Sequence, residues 1–329
     1  MTISLAEAEL LISSVFEHNG VDAPAAASVA RALVQAEAAG QSGHGLRRVP
    51  AYVKQVLTGK VDGRAQPVPS QPKPGILAIN ANHGFAYPAL DLAAEMLPSI
   101  VRKQGIALAA INRSHHAGVM ALTVERFAEQ GLVAMMFANA PAAMAPWGGK
   151  TPLYGTNPIA FAVPVAGADP LVIDLALSKV ARGKVMAAHQ KHASIPDDWA
   201  FDADGNPTTD PAAALNGTMA PAGGAKGAAL ALMVEVLAAG LTGANFSYQA
   251  SSLFDEHGPA PSLGHMIIAI DPEAAAGGTA ERMAALATEI TREEGVRLPG
   301  RRGGDLRRTA LETGLVIEDD VMAAIAALR

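Results

Sequence analysis

Short apolar runs of strand length alternate with helical segments along most of this chain, and that alternation limits the folds open to it. Beyond residue 75 the strand candidates are ILAIN, IALAAIN, LVAMMFAN, IAFAVP, LVIDLAL and MIIAI. Helical periodicity separates several of them, as at Tyr87–Lys103 and Val124–Gln130. Strands that are apolar on both faces need helices packed against them. The sequence therefore predicts an α/β fold, a sheet covered by helices.

The residues before this alternation are predicted to be helical. Ser4 with Glu7 is typical of a capping box, and an alanine-rich helix runs from Asp22 to Gly40. The proline-rich connector RAQPVPSQPKPG, residues 64–75, excludes a helix and a central strand. We therefore expect a helical segment over 1–75, an α/β domain over 76–300 and a C-terminal segment over 301–329.

Segments in the second half of the chain complete the prediction. Ser178–Gly217 is mostly polar and turn-rich, and Gly227–Leu241 is apolar apart from Glu235 near its middle. We expect the latter to form a long buried helix, with further helices over Ala280–Glu294 and Asp320–Leu328.

Composition excludes several classes of function. The chain has no cysteine, so disulfides, thiol catalysis and cysteine-ligated metals are excluded, and no HExxH or dense His/Asp cluster predicts another metal site. Only 17% of residues are charged, which favours association of subunits. The net charge of −6 argues against a nucleic-acid partner. No signal peptide or membrane-length apolar run is evident, and we expect a cytoplasmic protein.

Common nucleotide-binding and hydrolase motifs are missing. No GxGxxG follows a strand, and no GxSxG is present. GGKT at residues 148–151 resembles the end of a P-loop, but Met144 occupies the position of the required earlier glycine. A Rossmann fingerprint and a P-loop are therefore not predicted.

Two histidine segments are candidates for chemistry. In GHGLRR, His44 is followed by Arg47 and Arg48, and such a loop can bind a carboxylate and donate a proton to a neighbouring carbonyl or imine. His115 and His116 follow the strand IALAAIN, at an edge where ligands bind in α/β sheets. Because adjacent side chains diverge, only one of the pair can face a given cleft. The alternatives are a surface turn for His44 and a structural histidine after the strand.

Three further segments are candidates for binding an anion or a ribose. Asp174 ends LVIDLAL and can bond ribose hydroxyls, orient a histidine, or simply cap a helix. GGAKG, with Lys226, precedes a helix and forms either an anion site or a flexible loop. RLPGRRGGDLRR holds five arginines around a Pro-Gly turn and forms either a phosphate site or a solvated surface.

Taken together, several motifs resemble those of the malate/L-lactate dehydrogenase family, in the same order and over nearly the whole chain. They are GHGLRRVPAY, SHHAG, APWGG, GTNPIAFAVP, DLALSKVARGKV, PAGGAKGAALALMVEVL and LPGRR. SHHAG is most similar to the branch that reduces Δ1-piperideine-2-carboxylate and Δ1-pyrroline-2-carboxylate. The resemblance implies a non-Rossmann mixed sheet, a homodimer, and an NAD(P)-dependent oxidoreductase of 2-hydroxy, 2-oxo or 2-imino acids.

The resemblance also implies roles for individual residues. His116 would be the acid/base with His44 as its partner, and Arg48 would bind the substrate carboxylate, with Tyr52 also at the substrate. The positions that match the family's cofactor site are Ala140, Thr156, Asn157, Asp174, Leu175, Ala176, Ser178, Lys226, Arg301 and Arg302. The arginines favour NADPH, with NADH as the alternative. Residues 1–75 would serve substrate binding and dimerisation, 76–300 the cofactor, and 301–329 would pack back on the N-terminal part.

Two departures from the family pattern concern the substrate. The family usually has Asp-Ser before the first motif histidine, whereas this chain has Ser42-Gly43, and the position of Ala140 is often serine. We expect a reductase of small cyclic 2-imino acids. The alternatives are a malate, lactate or ureidoglycolate-type dehydrogenase and, in another class, a non-catalytic small-acid binding protein or a lyase.

Overall fold

The structure, a computed structural model, describes residues 2–329. Its strands are β1 (Thr2–Ile3), β2 (Val68–Lys73), β3 (Ile76–Asn80), β4 (Ile106–Ser114), β5 (Val133–Ala138), β6 (Ile159–Val165), β7 (Ala168–Leu175), β8 (Ala200–Phe201), β9 (Thr218–Met219), β10 (Leu263–Ile270) and β11 (Leu315–Val316). Seven of them form one sheet in the order β2-β3-β4-β10-β5-β6-β7. Within it β3 and β4 are parallel and every other neighbouring pair is antiparallel. The predicted mixed sheet is confirmed.

The helices surround this sheet. They are α1 (Leu5–His18), α2 (Ala23–Ala38), α3 (Val49–Leu57), α4 (Ala86–Gln104), α5 (Ala121–Ala128), α6 (Arg182–Gln190), α7 (Pro211–Asn216), α8 (Ala225–Glu235), α9 (Thr279–Ile290), α10 (Arg301–Thr313) and α11 (Asp319–Ala326). The predicted capping box begins α1, where Ser4 Oγ accepts from Glu7 N and Ser4 N donates to Glu7 Oε2. Among residues 2–329, no helix is both long and apolar enough to cross a membrane.

Both faces of the sheet are covered. On one face α4 and α5 bury residues such as Leu97 and Phe127 against Ile111 of β4. On the other face Val234 and Ala238, in and just beyond α8, join Phe137 and Met266 in a second core. Alternate residues of β5 and of Met266–Ile270 in β10 enter opposite cores, which explains why these stretches are apolar at every position.

The two ends of the chain share a third core. Helices α1, α2 and α3 pack with Val321 and Ile325 of α11. Strand β1 pairs with β11, and Asn19 Nδ2 donates to Leu328 O over 2.8 Å. The division of the chain into substrate, cofactor and C-terminal segments remains a prediction.

The proline-rich connector over residues 64–75 contains β2, an edge strand where proline is tolerated, so the predicted exclusion of a helix and of a central strand is confirmed. Three helices were not predicted. Helices α6 and α7 lie within the segment predicted to be polar and turn-rich. The predicted Pro-Gly turn is present at residues 299–300, but α10 follows it directly, and Gly303 and Gly304 weaken the sequence signal of that helix.

The apolar segment Gly227–Leu241 also differs from its prediction. Helix α8 begins two residues earlier, and a π-helical turn, Val236–Gly240, follows it. In this chain alone its outer face is exposed, with Leu232 at 48% and Val236 at 48%. Burial was predicted because every face is apolar, but only one face meets the sheet.

Candidate active site

The topology brings the carboxyl ends of β4, β5 and β7 to one edge of the sheet. Strands β4 and β5 both run antiparallel to β10, so they point the same way. Strand β7 points that way too, because β6 is antiparallel to both β5 and β7. The segments after these strands therefore lie along a single edge, the place where α/β sheets bind ligands.

His44 and His116 meet at this edge although 72 residues separate them in sequence. His44 Nδ1 lies 3.2 Å from His116 Nε2, and the two rings stack with centroids 5.1 Å apart. His44 ends a 3-10 turn, and Gly45 lets that turn approach α2, since a Cβ there would lie 2.3 Å from Glu37 Oε2. The same Glu37 oxygen accepts from Leu46 N over 2.8 Å, which holds the turn in place.

Tyr52 lies behind His116 and extends this pair into a chain. Its hydroxyl is 2.6 Å from His116 Nδ1 and 3.3 Å from the hydroxyl of Tyr87. We call His44–His116–Tyr52–Tyr87 the relay. Tyr52 is fully buried beneath the histidine, and its predicted place at the substrate remains a prediction. Tyr87 was missed in the sequence, because nothing local marks a buried tyrosine as part of a hydrogen-bonded chain.

Burial governs the protonation of the relay. Desolvation, with the nearby Arg48 charge, lowers the pKa of His44 to about 4 and that of His116 well below its usual value. Burial raises the pKa of the Tyr52 hydroxyl. At neutral pH both imidazoles are therefore uncharged, and each carries one N–H. When Tyr52 donates to His116 Nδ1, His116 donates to His44, and the outer nitrogen of His44 holds a proton.

His115 points away from the relay, as adjacent positions require. It is 1% exposed and packs edge-on against Tyr52 and Phe85. Desolvation lowers its pKa to about 3, and within residues 2–329 neither ring nitrogen has a hydrogen-bond partner. These facts favour the structural role for His115.

The two arginines of GHGLRR separate. Arg48 Nε donates to Gly43 O over 2.8 Å, and its guanidinium carbon lies 4.7 Å from the centre of the Phe254 ring. Arg47 instead forms ion pairs with Glu318 and Asp320 next to and within α11. Arg48 therefore lies beside His44 in the 43–48 segment, whereas the ion pairs of Arg47 link this segment to the C-terminal helix α11.

Most of the positions matched to a cofactor site meet at the same sheet edge. Leu177 N donates to Thr156 O over 2.8 Å, and Leu177 O accepts from Ala222 N over 2.8 Å. Ala140 N lies 3.4 Å from Asn157 Oδ1. Ser178 is buried, and its hydroxyl donates to Val180 O. Lys226 is exposed in the first turn of α8.

Asn157 belongs to a buried network that sequence reasoning did not find. Its amide donates to Glu235 Oε2 over 2.7 Å and to Ala231 O over 2.9 Å, and it has no exposed surface. Glu235 also accepts from the backbone N–H and the hydroxyl of Ser247. The available signal was a single carboxylate in an otherwise apolar helix. The network ties the Gly155–Asn157 turn to α8.

Asp174 makes a helix-capping contact. Its carboxylate accepts from Ala121 N, the first residue of α5, over 2.8 Å. The capping alternative is therefore favoured for one of its oxygens. Its neighbour Leu175 is 46% exposed, and Ala176 is half-buried at the same strand end.

Arg301 and Arg302 lie away from the histidines. Arg301 begins α10 and lies 3.5 Å from Asp169 at the opposite end of β7, and Arg302 is exposed. Asp169 precedes Asp174 by five residues, about 17 Å at the usual rise of a strand. Arg301 and Arg297 line a surface cleft of about 420 Å³.

Comparisons with known proteins relate the whole chain to one group of enzymes. The sequence model described as malate/L-lactate dehydrogenase matches residues 3–326. An NADP(+) (2R)-3-sulfolactate dehydrogenase of Chromohalobacter salexigens is 51% identical, covering 98% of this chain and 97% of that protein. A Δ1-pyrroline-2-carboxylate/Δ1-piperideine-2-carboxylate reductase of Pseudomonas putida is 38% identical, with 98% and 95% covered. The crystal structure of Δ1-piperideine-2-carboxylate reductase from Pseudomonas syringae superposes with a TM-score of 0.95 at 37% identity, covering all of both chains.

Proposed function

This chain belongs to the malate/L-lactate dehydrogenase family, and from that membership we propose that it is an NADP(H)-dependent oxidoreductase acting at C2 of a small 2-hydroxy or 2-imino acid. The relay beside Arg48 carries the proposal. It combines a group that can bind a carboxylate with a group that can move a proton, and reduction of C=O or C=N next to a carboxylate needs both. A non-catalytic binding protein would need no such chain of proton-transferring side chains.

The residues at the sheet edge fit an anionic dinucleotide. Gly223 has a positive φ, and a Cβ there would meet nothing within 4 Å, so this turn exposes bare backbone before the eleven-residue helix α8. Helix N-termini with exposed N–H groups favour anions, and Lys226 adds a positive charge. The cofactor, when bound, supplies or accepts the hydride at C2.

The chain's own residues supply orientation and the proton. Arg48 binds the substrate carboxylate, and in the reductive direction His44 gives its outer proton to the oxygen or nitrogen on C2. His44 Nδ1 then takes a proton from His116 Nε2, and the Tyr52 hydroxyl, hydrogen-bonded to His116 Nδ1, stabilises the charge left on that ring until a proton from solvent restores the relay. The family resemblance assigned the acid/base to His116 with His44 as partner. Both ring nitrogens of His116 are engaged in the relay, so we place His44 at the substrate and His116 behind it.

We propose 3-sulfolactate and its 2-oxo form as the first substrate pair. The support is the 51% identity to the sulfolactate dehydrogenase, against 38% to the reductase of Pseudomonas putida. Gly43 agrees with a substrate that differs from the cyclic imines, because it lacks the family's usual serine hydroxyl. Cyclic 2-imino acids are the second candidate, favoured by the SHHAG motif and by the TM-score of 0.95.

The test is a parallel assay of NADPH and NADH oxidation. The acids are 3-sulfopyruvate, oxaloacetate, pyruvate and the two cyclic imines, with NADP+ reduction by (2R)-3-sulfolactate as the reverse reaction. Arg48→Ala should raise KM for the acid far more than it lowers kcat, whereas His44→Ala should lower kcat. If no acid consumes NADPH and mixing leaves NADPH fluorescence unchanged, the proposed function is wrong.

The arginines of the surface cleft give a test of cofactor choice. Arg301 and Arg297 provide positive charge that suits the 2′-phosphate of NADPH, and NADH lacks this group. Arg301→Ala should therefore raise KM for NADPH while leaving KM for NADH nearly unchanged. An equal change for both cofactors would remove Arg301 from the phosphate site.

We also propose a homodimer that uses the outer face of α8. The face is formed by Leu230, Leu232, Met233 and Val236. A cluster of this kind is typical of a subunit interface. Light scattering after size-exclusion chromatography should give twice the chain mass, and Leu232→Glu should give the monomer. Leu10→Glu, at a 73% exposed leucine of α1, is the matched control and should stay dimeric.

A further inference from the structure

We infer that the loop Ser252–His257 is a wall of the substrate pocket, and that buried Lys60 is the positioning residue that holds this loop against Arg48. The inference rests on the proposed function, because it takes Arg48 as the group that binds the substrate carboxylate. Neither the loop nor Lys60 belongs to the motifs that mark the family in this sequence.

The loop touches Arg48 in two places. Leu253 O lies 3.5 Å from Arg48 Nη1, and the Phe254 ring lies under the guanidinium carbon at 4.7 Å. On its other side Arg48 Nε is bonded to Gly43 O. A planar guanidinium held by a carbonyl on one side and an aromatic face on the other has few orientations left. The position of the loop therefore sets the direction in which Arg48 presents its remaining N–H groups.

The ammonium group of Lys60 donates hydrogen bonds to three backbone carbonyls of the loop. Nζ lies 2.6 Å from Ser252 O, 3.0 Å from Asp255 O and 2.7 Å from His257 O. The residue is 2% exposed. A buried ammonium is costly unless it is fully bonded, and here its partners are three carbonyls of a single loop and the carboxylate of Asp255 in the same loop, whose Oδ1 lies 3.5 Å away. The cost is offset only while the loop keeps this conformation, so Lys60 selects that conformation.

Helix α3 connects the loop to Arg48 at both of its ends. Arg48 immediately precedes α3, and Gln55 in its last turns donates to Asp255 O over 2.9 Å. Thr58, next after the helix, donates to Glu256 O over 3.2 Å. Both contacts reach the loop that Lys60 holds. The helix and the loop therefore form one unit around Arg48, in which Phe254 keeps 41% of its surface free beside the carboxylate site.

The primary experiment compares Lys60→Met with Lys54→Met, the same change at an exposed lysine of α3. For Lys60→Met we expect KM for the acid to rise about tenfold, the loss of one well-oriented charge-assisted contact. We expect kcat and KM for NADPH to stay within about twofold, since the relay is untouched. Hydrogen exchange should speed up in residues 252–257 and not in β10. Lys54→Met should change none of these values.

A second pair of variants tests the wall without touching the buried lysine. Phe254→Leu removes the aromatic face under Arg48 at an exposed position, and Phe246→Leu is the control at another exposed phenylalanine. Phe254→Leu should raise KM for the acid about threefold, within the range of an exposed cation–π contact, and Phe246→Leu should not. If Lys60→Met does not fold, this pair of variants still tests whether the loop acts on substrate binding through Arg48.

The outcomes separate the inference from the proposed function. A fall in kcat with unchanged KM in Lys60→Met, or an unchanged KM in Phe254→Leu, would overturn the inference while the wild-type activity stands. If the wild type oxidises NADPH with none of the acids, the proposed function fails. The exchange rates of residues 252–257 would then still show whether Lys60 holds the loop.

Discussion

Replacing Tyr52 by phenylalanine removes one hydroxyl from the middle of the relay and leaves the surrounding shape intact. That hydroxyl lies 2.6 Å from His116 Nδ1 and 3.3 Å from the Tyr87 hydroxyl. The ring itself packs against Phe85 and His115, contacts that phenylalanine can keep. The change therefore tests the hydrogen bond rather than the packing.

The expected magnitude follows from the role of this bond. When His44 gives up a proton and takes one from His116 Nε2, negative charge develops on the His116 ring. The Tyr52 hydroxyl stabilises that charge through its hydrogen bond to His116 Nδ1. A hydrogen bond to a charged group contributes about 1.5–3 kcal/mol. Since about 1.4 kcal/mol corresponds to a factor of ten in rate, kcat should fall roughly 10- to 150-fold. KM for the acid should barely change, because Arg48 keeps its contacts. The free energy of unfolding should fall by about 1–3 kcal/mol, because two buried groups lose a partner.

The assay is steady-state turnover with the best acid found, run together with thermal unfolding. Tyr248→Phe, at a 57% exposed tyrosine, is the control and should match the wild type in both measurements. A Tyr52→Phe variant that keeps kcat within about twofold of the wild type would refute the relay. A loss confined to KM would show that Tyr52 acts on substrate binding instead.

Three further predictions concern the site and its surroundings. Gly43→Ser should fold normally, since a Cβ at Gly43 meets nothing within 4 Å, and should raise kcat/KM for cyclic imines relative to 3-sulfopyruvate in the parallel assay. Glu235→Gln should lower the free energy of unfolding by about 1–3 kcal/mol in urea titrations and raise KM for NADPH, because the amide oxygen can replace Oε2 as acceptor for Asn157 and the Ser247 hydroxyl, but the NH2 group in place of Oε1 cannot accept from Ser247 N. Stability should fall as pH drops from 6.5 towards 4, because the buried histidines have lowered pKa values and the unfolded chain binds more protons in that range. His115→Phe should reduce that slope by about 1.4 kcal/mol per pH unit, and an unchanged slope would contradict this account.

The α/β class and most strands were predictable because their signals are local. Strands such as Ile76–Asn80 are apolar on both faces, and this pattern depends on the residues themselves. The capping box of α1 is likewise complete within four residues. The prolines of β2 correctly excluded a central strand, because only an edge position tolerates them. Helix α10 was missed because it contains two adjacent glycines, which weaken the local helix signal.

The site was predictable in its chemistry and not in its geometry. Motif positions identified His44, His116 and Arg48 as candidates, but not which nitrogen faces which partner. Tyr52 was predicted at the substrate, but its hydrogen bond to His116 was not, and Phe254 was not predicted at all. No spacing in the chain indicates that the residues around position 254 come to lie beside residue 48.

The sequence by itself determined the class of fold, the family and the kinds of side chain available for the reaction. Only the tertiary structure decided that His44 and His116 stack in one relay, that Glu235 anchors the Asn157 turn, and that one face of α8 is left exposed. The physical reason is the distance along the chain over which each kind of interaction acts. Helix caps and strand patterns arise from neighbours a few residues apart, whereas proton transfer and buried hydrogen bonds need atoms about 3 Å apart, and packing of the whole chain brings them there.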